Sequence, residues 1–275
     1  MKTSALLACL LFALGTSGCK HPPKKKAKPV ITAAGTQLPL IRPNVDTAFN
    51  PDIEKPEVHE STYVDALSSV IGNVLLGENV FVAPFASIRG DEGQPLFIGD
   101  DSNVQDGVVI HALETVNDRG APIVGRTYKV DGVDYAVYIG KRVSLAHQSQ
   151  VHGPAYVEDD VFVGMQALVF KARIGKGSVI EPGAKVIGVT VPPGCYVKAG
   201  SVLSSQKEAD KLPKIDDAYP FKSLNEAVVH VNTSFAEGYG DLLRKKPLNK
   251  SSHADSKEPH GDSKEKPKEA LNTHH

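Results

Sequence analysis

Val, Ile or Leu stands at every sixth position over most of the middle of the chain. The series runs from Val64 through Val70, Leu76, Val82 and Ile88, and from Ile98 through Val104 and Ile110. It resumes at Ile139 with Leu145, Val151, Val157, Val163 and Val169, and after a slip of one residue at Ile174, Ile180 and Val186. The fourth residue after each is mostly small or β-branched, as at Ser68, Ala86, Ser102, Ser149, Ala155 and Ala184. A period of six fits neither an amphipathic helix nor simple strand alternation. It fits a triangular coil in which each hexad is one flat face, the aliphatic points to the axis, and the small residue sits near the corner. Three faces make a coil, and coils stack at strand spacing, about 4.8 Å. Seventeen faces give about six coils. The expected fold is an all-β solenoid, a parallel β-helix of hexapeptide repeats. Composition agrees with such an aliphatic interior: 24 Gly, 6% aromatic residues and no Trp.

The pattern breaks twice. The fourth residue after Ile88 is Glu92, and after Ile110 it is Glu114. A carboxylate at an inward corner is costly, so the chain is expected to leave the coil at both places. The β-helix is placed at 56–204, with loops near 90–97 and 113–138. The longer loop contains Glu114, Asp118, Asp131 and Asp134. Excursions from a repeat scaffold are where function tends to sit. Residues 205–246 read as C-terminal helices. Ser205 to Leu212 forms a short one, ended by Pro213. A longer one starts near Asn225, a good cap, and runs to about Arg244. Its stripe of Ala227, Val228, Val231, Phe235 and Leu242 is expected to pack along the outside of the β-helix.

The ends carry a different kind of signal. Met1-Lys2 and the apolar run Ala5 to Leu14 read as a secretory signal peptide over 1–18, too short to span a bilayer. Thr16-Ser17-Gly18-Cys19 resembles a bacterial lipobox, which would leave Cys19 lipidated and the protein anchored to a membrane. Residues 19–55 read as a basic linker with little to bury, and 247–275 as a disordered tail. The expected location is exported, periplasmic or at the cell surface. With Cys9 and Cys19 accounted for by processing, Cys195 has no partner for a disulfide. A formal net charge of -1 gives no reason to expect nucleic acid as a partner.

The hexad count also stacks polar side chains. Ile110 falls on Val151, so His111 and His152 occupy the same outward position on adjacent coils, about one strand spacing apart. Two imidazoles so placed can converge on one metal. His147 lies on the preceding face, around a corner, and reaches such a metal more easily from a neighbouring subunit. The arithmetic points to a homotrimer with shared sites, since a three-faced prism suits threefold packing. Three neutral imidazoles with an open fourth position suit a catalytic zinc, and iron or cobalt equally. Arg89 falls in the column of His111 and His152. Asp106 falls under His147 with Gln105 beside it. Arg89, Asp91 and Asp106 read either as an ion-pair cluster between subunits or as participants in chemistry. Gln105 reads either as a partner of a metal-bound water or as part of a solvated polar face.

Three segments carry a family resemblance: Arg89-Gly-Asp-Glu-Gly, Asn103-Val-Gln-Asp-Gly-Val-Val-Ile-His111-Ala-Leu-Glu114, and Ser144-Leu-Ala-His147-Gln-Ser-Gln-Val-His152-Gly153. Together they resemble γ-class carbonic anhydrases, in particular the archetypal exported branch with a long acidic loop, over about Pro56 to Tyr239. The resemblance implies a left-handed β-helix, assembled as a trimer, that hydrates CO2 to bicarbonate and a proton with a metal-bound hydroxide. It implies that His111, His147 and His152 are metal ligands and that Arg89, Asp91, Gln105 and Asp106 are polar residues of the active site and interface. Glu92 and Glu114 match loop carboxylates, with Glu114 the implied proton shuttle, and Asn232 matches a residue contacting CO2. Two positions depart from the family pattern: His230 replaces a tyrosine and Phe49 a tryptophan. Competing readings are a hexapeptide acyltransferase with a histidine base, a non-catalytic trimeric scaffold, and metal storage.

Overall fold

The computed structural model describes residues 40–117 and 119–245; the signal segment, Cys19, the tail 247–275 and Asp118 lie outside the described residues. Three parallel sheets of eight, seven and seven strands form the faces of a prism. The inward columns follow the hexad register. Val70, Ile88, Ile110, Val151, Val169 and Val186 stack on the first face. Leu76, Ile98, Ile139, Val157 and Ile174 stack on the second. Val64, Val82, Val104, Leu145, Val163 and Ile180 stack on the third. All except Val64 are buried. Each such side chain contributes about 1.5–3 kcal/mol relative to exposure, and the sum holds the prism together without large rings. The architecture is the left-handed parallel β-helix expected of hexapeptide repeats.

The stack is longer than six coils. A second slip of one residue follows Val186, after which Val191, Val197 and Leu203 take the inward positions. Val189 is buried there and Thr190, the residue expected at the corner, is exposed. At the other end Ile41–Arg42 pairs with Val70 and Ile71, and Glu57–Val58 with Leu75 and Leu76. Val58 stands six residues before Val64 and continues the series backward, whereas the irregular stretch between Arg42 and Glu57 puts Ile41 out of a strict step of six, and the slip after Val186 does the same to Val191. Residues 40–55, read as the end of a linker, are therefore packed on the prism. Two buried amides hold them. Asn44 Nδ2 donates to the Asp52 carbonyl at 2.8 Å, and its Oδ1 accepts from the Glu54 N–H at 2.7 Å. Asn50 Nδ2 donates to the Asp91 carbonyl at 3.2 Å.

The chain leaves the coil between Gly90 and Leu96 and again between His111 and Val137. These loops are shifted from the boundaries read in the sequence because Gly90, Leu96, Val137 and Tyr138 already pair in strands. The longer excursion contains an antiparallel hairpin, Tyr128–Val130 with Val133–Tyr135. It turns at Asp131-Gly132, both at positive φ (48° and 87°), the geometry that Asp-Gly favours in a two-residue turn. The rings of Tyr128 and Tyr135 pack on Phe97, Tyr138 and Tyr156 of the second face.

Two helices follow, α1 (Gln206–Ala209) and α2 (Leu224–Lys245). Asn225 lies inside the first turn of α2 rather than at its cap. Its Nδ2 donates to the Arg142 carbonyl at 2.8 Å and ties the helix to the prism. The buried line of α2 is Asn232, Ala236 and Gly240. Val231, Phe235 and Leu242 of the expected stripe are 45–50% exposed. Small side chains at four-residue spacing let the helix approach the sheet closely, and the larger residues fall beside the contact line. There Phe235 and Tyr239 meet Phe81, and Tyr239 meets Tyr63.

Candidate metal centre

Adjacent parallel strands of the first face bring His111 and His152 into register. Their ring centroids lie 4.4 Å apart with planes at 71°. The inward packing of Ile110 and Val151 directs the next residue outward on both strands. Gly153 permits the close passage of the chain just after His152. A Cβ there would stand 2.5 Å from the Ala136 carbonyl oxygen and 2.8 Å from Ala112 Cβ. Phe170 follows His152 in the column, with ring centroids 4.9 Å apart. Arg89 stands one coil before His111, as the pairing of Ile88 with Ile110 requires.

Each imidazole of the pair uses Nδ1 on the backbone. His111 Nδ1 lies 2.9 Å from the Ala112 carbonyl, and His152 Nδ1 lies 2.9 Å from the Gly153 carbonyl. A carbonyl only accepts, so Nδ1 carries the hydrogen in both rings and Nε2 keeps its lone pair. Burial, and then the neighbouring His152, hold His111 below the usual imidazole range and favour its neutral form. His147 Nδ1 lies 3.0 Å from Asp106 Oδ2, so its Nε2 is likewise left as the donor atom for a metal. Three imidazoles oriented through Nδ1 fit a borderline dication such as Zn2+, Fe2+ or Co2+.

They do not meet within one chain. His147 lies just beyond the third-face strand Ser144–Leu145, at the corner before the first face. Among the described residues no three His, Cys, Asp or Glu side chains gather at one point. The polar residues divide in the same way.

On the His111 side, Arg89 Nε donates to Asp91 Oδ1 at 3.2 Å, and its Nη2 donates to Glu92 Oε1 at 2.9 Å. Glu92 Oε1 is also 3.2 Å from His111 Nδ1. Burial first, then Asp91, push the Glu92 carboxyl up to about 8 against the pull of Arg89. These residues and Glu114 line a cavity of about 340 Å³ with Val45, Thr47 and Phe49 from the N-terminal segment. Phe49 thus faces the same space as Glu92 and Glu114. The Glu114 side chain is half exposed, and its Oε1 lies 3.6 Å from Arg126 Nη2.

On the His147 side, a cavity of about 380 Å³ is lined by Phe81, Gln105, Asp106 and His147, with Val228, Val231 and Asn232 supplied by α2. Gln105 Nε2 donates to Asn103 Oδ1 at 2.9 Å, and Asn103 Nδ2 donates to Ser144 Oγ at 2.9 Å. This buried chain fixes which way the Gln105 amide faces. Asn232 Nδ2 donates to the Val228 carbonyl at 2.8 Å within α2. His230 is exposed and lines neither cavity.

Within one chain Arg89 pairs with Asp91 and Glu92, and Asp106 pairs with His147. Asn103, Ser144 and Arg126 escaped sequence reasoning. Asn103 was accessible, because it precedes Gln105 by two residues on one strand run and so shares its side. Arg126 carried no such signal, being twelve residues from Glu114 across an irregular loop.

No protein-family model matches the chain. Among solved structures, a Bacillus cereus protein described as an acetyltransferase superposes with a TM-score of 0.54. It covers 69% of this chain and 94% of its own at 21% identity, a likeness of fold alone. The carboxysome assembly protein CcmM of Nostoc is 39% identical over 193 residues, and the match spans about a third of CcmM (33%). The mitochondrial gamma carbonic anhydrase 2 of Arabidopsis thaliana is 27% identical over 199 residues, 72% of this chain and 61% of its own length. The carbonic anhydrase of Methanosarcina thermophila is 53% identical over 235 residues, 85% of this chain and 94% of that enzyme. With that identity over nearly the whole of a relative, the chain belongs to the γ-class carbonic anhydrase family.

Proposed function

We propose that the chain catalyses the reversible hydration of CO2 to bicarbonate and a proton, as a homotrimer with active sites between subunits. The 53% identity to a carbonic anhydrase supports the activity. The shared site rests on one observation: His111 and His152 stand in register on one face, His147 stands around the corner, and all three hold Nδ1 on a fixed acceptor. In a threefold assembly the His147 side of one subunit would complete the His111 side of the next. A dication held there would act as a Lewis acid and supply hydroxide at neutral pH.

The chain's own groups supply the rest. Phe81, Val228 and Val231 offer an apolar wall for CO2, and Asn232 stands at that wall to contact it. The Gln105 amide, held by Asn103, orients a water at the site. Asp106 and the two carbonyls keep the histidine rings in the ligating tautomer. Glu92 packs against His111 and Arg89 at the inner wall, and the half-exposed Glu114 takes the product proton outward to buffer.

The test is metal content and CO2 hydration on full-length protein purified without oxygen, beside His111→Ala. About one zinc, iron or cobalt per chain, with activity lost in the variant, is expected. A trimer that binds metal but hydrates no CO2 would favour the scaffold reading. An active monomer would refute the shared site.

We also propose export and lipid attachment at Cys19, on the strength of the leader and the lipobox-like Thr16-Ser17-Gly18-Cys19. Radiolabelled palmitate should enter the parent protein and not Cys19→Ser, which should leave the membrane fraction. Equal labelling of both would refute it.

A further inference from the structure

A half-exposed glutamate on a surface loop ordinarily samples several rotamers. Glu114 is gripped at both ends by one residue. Arg126 Nη1 donates to the Glu114 carbonyl at 3.3 Å, and Nη2 lies 3.6 Å from Glu114 Oε1. The loop between them is closed on itself. The Arg126 N–H donates to the Ile123 carbonyl at 3.1 Å, and the Ile123 N–H donates to the Thr115 carbonyl at 2.7 Å. Thr115 is fully buried, and its hydroxyl donates to the Glu92 carbonyl at 2.7 Å. The base from which Arg126 reaches back is thus pinned to the first excursion. A guanidinium presents donors in a rigid fork and can hold a carbonyl and a carboxylate together, which an ammonium on a flexible stem does poorly.

We propose that Arg126 is a positioning residue that holds the Glu114 carboxylate at the mouth of the His111 cavity for proton release. This rests on the CO2-hydration reading above, in which Glu114 carries the proton out. Arg126 touches no reacting atom. Glu114 accepts the proton as carboxylate and gives it, as carboxylic acid, to a buffer base. The charge attraction to Arg126 exists only for the ionised form, so the side chain is released when it takes the proton and drawn back when it gives it up. The backbone hydrogen bond stays throughout.

The experiment compares the full-length metal-loaded parent with Arg126→Ala, Arg126→Lys and Glu114→Ala, in weak buffer and in concentrated imidazole. For Arg126→Ala, kcat in weak buffer should fall about tenfold, imidazole should restore it, and kcat/KM should stay near the parent value. Arg126→Lys should recover part of the loss. Crystal structures give a readout independent of activity: Glu114 in one rotamer in the parent and in several in Arg126→Ala. If Arg126→Ala does not fold, Arg126→Gln, which keeps a donor for the carbonyl, carries the same comparison. The inference alone is overturned if Glu114→Ala loses weak-buffer turnover and Arg126→Ala does not. It is also overturned if Arg126→Ala loses turnover equally in both buffers. A parent without CO2 hydration, or without buffer dependence in both parent and Glu114→Ala, overturns the underlying reading and the inference with it.

Discussion

Asp106 is the acceptor for His147 Nδ1, at 3.0 Å, and Asp106→Ala removes it. A hydrogen bond to a charged group contributes about 1.5–3 kcal/mol. Both side chains are about half exposed, 57% for His147 and 51% for Asp106, so solvent screening brings the effect toward the lower end. A loss of about 1.4 kcal/mol is a tenfold weaker metal site, at the low end of the range for partners of ligating histidines. Asp106→Asn keeps an acceptor without the charge, and its loss should be smaller. The assay is titration of metal-stripped trimer with Zn2+ against a chromogenic chelator, with the oligomeric state checked in parallel. Parent affinity in a trimeric Asp106→Ala would refute the idea that this carboxylate fixes the ligating tautomer of His147.

Further consequences follow from burial and close approach. Burial keeps the folded Glu92 carboxyl near 8, above its ordinary value of 4.5, so the fold favours the protonated form. Its contribution is full below 4.5 and is lost as pH rises toward 8. Metal-free parent should therefore lose stability relative to Glu92→Gln between pH 5 and pH 8 in urea titrations, and parallel profiles would contradict this. Gly153→Ala places a Cβ 2.5 Å from the Ala136 oxygen; it should lower the melting temperature and metal content together, and a parent-like protein would deny the close packing behind His152. Ile180 is fully buried on the third face. Ile180→Ala should cost about 2–5 kcal/mol in denaturant unfolding while leaving metal content per folded chain unchanged.

The period of six carried most of the fold because an aliphatic at the axis and a small residue at the corner leave few alternatives. The stacking of His111 on His152 followed from the same arithmetic, since register converts one column into all others. The last coil lies past a second slip, where Val191, Val197 and Leu203 resume the step of six one residue early, as Ile174 does after Val169. The hairpin at Asp131-Gly132 was signalled by its turn residues between Val130 and Val133, yet its aromatic packing on the second face was not, being a contact between segments without shared period. On α2 the contact line fell on Asn232, Ala236 and Gly240 instead of the larger apolar residues, since close approach to a sheet favours small side chains. The grip of Arg126 on Glu114 depends on how an irregular loop closes, which no spacing encodes.

The shared site has a direct test in complementation. His111→Ala lacks one half of each site, and His147→Ala lacks the other. Neither variant alone should bind metal tightly or hydrate CO2. When the two are unfolded together in equal amounts and reassembled, random mixing places an intact pair of halves at about a quarter of the interfaces. Metal content and activity near that fraction are the expected result. A mixture as inactive as its components, or full metal binding by either variant alone, would contradict a centre built by His111 and His152 of one subunit with His147 of the next.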